Sequence, residues 1–102
     1  MEQIPDVLQA AGDVYKLLME NDQVRVLEVR LKPDEKAPMH NHPNNHVVSV
    51  INDAKFRLTL PDGQTVEFDA KAGQTLWIEA GSHAAENIGT TNGHNVLVEL
   101  KR

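Results

Sequence analysis

The sequence predicts an all-β domain, a small antiparallel sandwich or barrel, and three observations carry that prediction. Apolar residues alternate with polar ones at period two in several short runs. Turns rich in Gly, Pro and Asn separate those runs at regular spacing, and no segment after residue 24 has a 3.6-residue period. A βαβ rhythm, an internal repeat, a heptad pattern and a low-complexity tract are all missing. The 102 residues are enough for one core and too few for two, so a single domain over 1–102 is expected, with 1–23 as an N-terminal arm or hairpin.

Residues 9–20 read as an early strand or as two turns of helix. The turn-forming cluster Glu20-Asn21-Asp22-Gln23 favours the strand, in a hairpin with the segment after it. In residues 24–32, Leu27, Val29 and Leu31 share one face and Glu28, Arg30 and Lys32 the other, the signature of a half-buried strand. Pro33-Asp34-Glu35-Lys36 breaks it. Residues 37–45 are expected to be irregular or edge-like, since Pro38 and Pro43 bracket His40-Asn41-His42 and keep it extended.

Residues 46–51 are β-prone on both faces, as a central strand would be. After Asn52-Asp53, Phe56, Leu58 and Leu60 alternate with polar neighbours, and Pro61-Asp62-Gly63-Gln64 makes a hairpin turn into Val66 and Phe68. Gly73 and Gly81 open two further strands. A polar loop over residues 89–93 leads to a last strand at 95–100.

Ten Lys and Arg against fifteen Asp and Glu give a net charge of -5, a poor electrostatic match to nucleic acid or an anionic membrane face. No apolar stretch approaches the roughly 20 residues of a membrane helix, and the first residues carry no secretory pattern. Cys is absent, which excludes disulfides and thiolate chemistry and makes the cytoplasm the expected address. Apolar residues up to Leu18 have no obvious place in a minimal barrel, so a homodimer is expected, with this segment augmenting a partner's sheet.

Three of the five histidines fall within seven positions: His40, His42 and His46. On an extended chain His40 and His42 point to one side with Cβ atoms about 6–7 Å apart, close enough to grip one ion. His46 joins them either by shared parity, if the chain stays extended through Pro43-Asn44-Asn45, or by a turn there that brings it back on the neighbouring strand. Converging imidazoles repel each other's protons, and a divalent cation resolves that conflict. His83, flanked by Ala84 and Ala85, has no bulky neighbour to make it core filler and joins the candidate ligands. Ser82 is placed to support it rather than to act as a nucleophile. His94, which shares parity with Val96, Val98 and Leu100, either faces the interior near the rim or lies free in the loop. Trp77, opposite in parity to Leu76 and Ile78, packs between sheets, against a second chain or over a ligand.

The order of these features resembles the cupin superfamily of small double-stranded β-helix, jelly-roll barrels. His40-Asn41-His42 stands in the place of the family's His-x-His, and His46 in the place of its Glu. The flanking glycines are replaced near Asp34 and at Asp53. The second motif runs Gly73, Glu79 in place of Pro, Gly81, His83 and Asn87. The resemblance covers residues 24–100. It implies a mononuclear site for iron, nickel, zinc, manganese or copper on His40, His42, His46 and His83, with Asn87, Ser82 or a backbone carbonyl orienting the rings. His46 either completes the ligand set or acts as the acid–base group beside a three-histidine ion.

The activity expected first is dioxygenase-type oxidation of a small polar molecule, because no carboxylate candidate faces the barrel interior and Glu28 and Glu86 face outward. A metal-dependent isomerase or lyase, a non-catalytic metal- or metabolite-binding module, and a metal-free structural barrel are the alternatives.

Overall fold

A computed structural model describes residues 3–101; of the expected arm, residues 1 and 2 lie outside the described part, as does residue 102. One short helix, α1 (Val7–Ala10), precedes nine strands: β1 (Tyr15–Glu20), β2 (Val24–Leu31), β3 (Lys36–His42), β4 (His46–Val50), β5 (Ala54–Thr59), β6 (Thr65–Ala70), β7 (Thr75–Ile78), β8 (Gly81–Asn87) and β9 (Gly93–Leu100). They form a five-stranded sheet ordered β1-β2-β9-β4-β7 and a four-stranded sheet ordered β3-β8-β5-β6. Every named strand pair is antiparallel. Among the described residues no helix is long and apolar enough to cross a membrane.

The period-two pattern maps directly onto burial. Leu27, Val29 and Leu31 of β2 and Leu97 of β9 are buried on the inner face of the larger sheet, with Val48 and Val50 of β4, an interior strand between β9 and β7, beside them. Phe56, Ala85, Ala54 and Ala70 cover them from the smaller sheet. Asp34, the residue expected near a glycine position, has a φ of 69°, so the turn keeps a left-handed torsion without glycine. Gly63 and Gly73 take the same region at their turns.

The early segment is a strand, as the turn cluster implied, and β1 forms a hairpin with β2 of its own sheet. Residues 36–42 form the edge strand of the smaller sheet, paired with β8 and interrupted by one register slip, in keeping with the edge-like reading. Pro38 is tolerated because the register slips between Ala37 and His40, and a bulge needs no N–H at that point. His94 shares parity with Val96, Val98 and Leu100 as expected, but that parity faces out: His94 bonds the Glu28 carboxylate at 2.8 Å.

The outward face of the larger sheet carries an apolar row. Met19 pairs with Val26, Val26 with Val98, Val98 with Val47 and Val47 with Trp77, so the row crosses all five strands. Its two ends are open: Met19 is 48% exposed and Trp77 55%.

Candidate metal centre

Alternation along β3 sends His40 and His42 into the space between the sheets, where they are 0% and 1% exposed. His83 on β8 is the register partner of His40, and His46 opens β4 in the opposite sheet. The four rings meet. Ring centroids lie 4.8 Å apart for His40–His42 and His40–His83, 5.1 Å for His42–His83 and 4.6 Å for His42–His46. One ligand nitrogen from each of His40, His42 and His83 lies within 4.8 Å of the others, and His46 stands just outside that group.

The hydrogen bonds fix which nitrogen each ring offers. His40 Nδ1 donates to the Pro38 carbonyl at 2.7 Å and His46 Nδ1 to the Asn44 carbonyl at 3.1 Å. A carbonyl can only accept, so Nδ1 carries the proton in both rings. His42 Nδ1 donates to Glu99 Oε2 at 3.1 Å. Each of these rings therefore presents an Nε2 lone pair. His40 Nε2 and His42 Nε2 are only 3.1 Å apart, and two facing lone pairs at that distance need a cation between them.

A proton can be shared by two rings, whereas an ion can be shared by three. With metal–nitrogen bonds of about 2.0–2.1 Å, two ligand nitrogens at ordinary coordination angles sit about 3.0–3.4 Å apart; the His40–His42 pair, at 3.1 Å, has that spacing, and the His83 nitrogen lies within 4.8 Å of both. Burial also disfavours the charged form of His40, His46 and His83. It lowers the pKa of His40 to about 4, with His42 adding to the fall against the Pro38 carbonyl. His83 falls to about 3, from burial first and then from the three neighbouring imidazoles.

Glu99 was missed by sequence reasoning and corrects the expectation of an interior without carboxylates. It is fully buried, sits opposite His46 in register, and receives Arg25 Nε at 2.9 Å as well as His42. Burial pushes its carboxyl up, but the bonds from His42 and Arg25 outweigh that and hold it below the usual carboxylate range. Arg25 also grips Asp6, the N-cap of α1, through two bonds of 3.0 Å. Tyr15 is a second addition: its ring meets His40 edge-on at 5.2 Å, and burial raises its hydroxyl pKa.

The residues expected to orient the rings bond elsewhere. Asn87 donates to the Leu31 and Thr91 carbonyls and accepts from Gly89, stapling the loop before β9. Ser82 donates to Asn41 Oδ1. Backbone carbonyls, the third group expected, hold His40 and His46, and Glu99 holds His42.

Beside the rings lies a cavity of about 70 Å³. Val, Leu, Ile and Phe make most of its wall; its polar side chains are Tyr15, His42, His46, His83 and Asn95. No family model matches the sequence, and no curated protein matches it. Solved structures do. A cupin domain from Bordetella pertussis Tohama I superposes with a TM-score of 0.80 at 23% identity, covering 100% of both chains. The fold is that of the cupins. An RmlC-like cupin family protein of Methanocaldococcus jannaschii matches at 0.68 and 19% identity, over 85% of this chain and 78% of that one. The polyketide cyclase RemF of Streptomyces resistomycificus matches at 0.64 and 20%, over 99% of this cupin-fold chain and 71% of its own.

Proposed function

We propose that this cupin-fold chain is a mononuclear metal-dependent enzyme acting on a small oxygen-bearing molecule. The observation that carries the reading is the convergence of three imidazoles whose Nδ1–H groups are tied to fixed acceptors, with His83 as a further ring alongside. His40, His42 and His83 hold a divalent transition metal and His46 supplies the fourth imidazole from the opposite sheet. Such an ion polarises substrate oxygens and, if redox-active, supports oxidation. The protein contributes a fixed ring orientation at His40, His42 and His46 and a largely apolar wall that selects a substrate with a hydrophobic body rather than a wholly polar one.

Dioxygenase-type oxidation is the preferred reaction, because the described cavity wall contains neither a carboxylate nor a lysine to move protons. Glu99 does not change this, since Arg25 and His42 occupy its oxygens and it lies behind the rings. A second reading, metal-assisted cyclisation or lysis without oxygen, draws on the likeness to RemF.

Elemental analysis of untagged protein tests the metal. About one transition-metal ion per chain is expected, and its loss together with turnover in His46→Gln. Metal retained with turnover lost would move His46 to proton transfer. No bound metal, and none taken up from iron, nickel, zinc, manganese or copper, would overturn the reading. Oxygen uptake by the Fe(II) protein with enediol or 1,3-diketone substrates separates the two reactions, since the second proceeds anaerobically.

The same reading includes a cytoplasmic homodimer. The Met19–Trp77 row supports the pairing, and the lack of Cys supports the address.

A further inference from the structure

One polar atom inside the molecule has no partner. Among the described residues, Asn95 Oδ1 is the buried side-chain oxygen that receives no hydrogen bond. Its position is informative. Asn95 shares the inward parity of Leu97 and Glu99 on β9, pairs with Val29 on one side and Val50 on the other, and lines the cavity next to the histidines. Glu99, which holds His42, lies four residues further along the same strand, about 13 Å of extended chain. The cavity therefore has imidazoles toward one end, an unsatisfied amide toward the other and an apolar wall between them.

An apolar residue would pack against Val29 and Val50 without leaving a buried acceptor unmade, so an amide at this point is a cost to folding that a ligand can recover. We infer that Asn95 is the second recognition point of the cavity, binding a hydroxyl at the far end of a substrate whose oxygen-bearing head sits at the histidines. A hydroxyl both donates and accepts, so it satisfies the amide whichever way its oxygen and nitrogen are turned. The substrate class this selects is a short apolar body with a chelating group at one end and a hydroxyl at the other. This rests on the metal-site reading for the head but not for the tail.

The test uses Co(II)-loaded protein and linear hydroxamates of about four to eight carbons, lengths that span about 13 Å or less, each with a terminal methyl or a terminal hydroxyl. Calorimetry gives the affinity ratio of each pair, and the visible Co(II) spectrum reports whether the head reaches the metal. At the best length the hydroxyl form is expected to bind about tenfold tighter. Asn95→Leu should bring that ratio to about one while binding the methyl form no more weakly; Asn95→Ala is the second variant if Leu disturbs folding. A hydroxyl preference with an unchanged spectrum supports Asn95 and counts against the metal-bound head. A changed spectrum with no hydroxyl preference at any length, or a preference that survives both substitutions, overturns the inference. Failure of every probe to bind overturns it as well.

Discussion

Arg25 holds Glu99 through Nε at 2.9 Å and Nη2 at 2.7 Å, and that grip decides which nitrogen of His42 faces the cavity. With its charge fixed, Glu99 can only accept, so His42 donates its Nδ1–H to it and turns Nε2 toward the other rings. Glu99→Gln removes the charge and lets an amide N–H face the ring. Metal affinity is expected to fall about 10- to 100-fold, measured by competition with a chromophoric chelator. An unchanged affinity would mean that the ring is held by packing alone.

The other half of the pair tests folding rather than ligation. Arg25→Met leaves the Glu99 carboxylate, 0% exposed, without its cation. Breaking one side of a buried pair costs on the order of 3–5 kcal/mol, and Asp6 at the start of α1 loses its partner too. Urea unfolding of chelator-treated protein should show a loss at the upper part of that range. Arg25→Met with Glu99→Leu should recover much of it, because no charge is then stranded.

How far these groups were visible in the sequence differs residue by residue. His40, His42 and His83 stood out by type, spacing and small neighbours, and antiparallel pairing of β3 with β8 brings them together. Glu99 was hidden because β9 is apolar on both faces. Val96, Val98 and Leu100 outnumber Leu97, and the larger set suggested the wrong interior; it faces out as part of the apolar outer surface of the larger sheet. One clue was available. Arg25 has the parity of Leu27, Val29 and Leu31, and an inward arginine requires an inward carboxylate. Which carboxylate depends on the β2–β9 register, a long-range pairing that local pattern does not contain. Asn95 was hidden for the same reason.

The buried imidazoles set a pH dependence for the metal-free protein. His40 and His83 titrate at about 4 and about 3 when folded, against an ordinary value of about 6.5 in the unfolded chain. Between these values the unfolded state binds protons that the folded state refuses, so stability rises with pH. Stability should be complete above about pH 6.5 and decline steadily as the pH falls toward 4. The lowered carboxyl of Glu99 adds a further loss at the acid end. Urea midpoints in chelator at about pH 7.5, 6 and 5 should fall in that order; a flat series would mean that the rings are not held uncharged.

Gly93 is fixed by a neighbour rather than by its torsion. A Cβ there would lie 2.6 Å from Cζ and 2.8 Å from Cε1 of Phe56, a ring 4% exposed in the cavity wall. Gly93→Ala must push that ring aside, at a cost of about 1–3 kcal/mol, and pushes it toward the cavity. Phe56→Leu should relieve more than half of the loss when combined with it, read from urea midpoints. Simple additivity of the two substitutions would show that the contact is not the cause.

The apolar row from Met19 to Trp77 predicts the state in solution. Five strands about 4.8 Å apart make it about 19 Å wide, and Val24 and Leu100 extend it by another register pair. A contiguous apolar row with open ends is the kind of surface that marks a protein–protein contact. Beside it Glu28 is hydrogen-bonded to His94 and paired with Arg30, so a second copy docked two-fold on this face meets no carboxylate without a partner. Trp77 is the point to attack: it is largely exposed, so Trp77→Asp spares the core, while across a two-fold it sets charge against an apolar row. Sedimentation at micromolar concentration should give a dimer for the natural chain and a monomer for Trp77→Asp, with metal content unchanged. A monomer for both would leave the row without a partner copy.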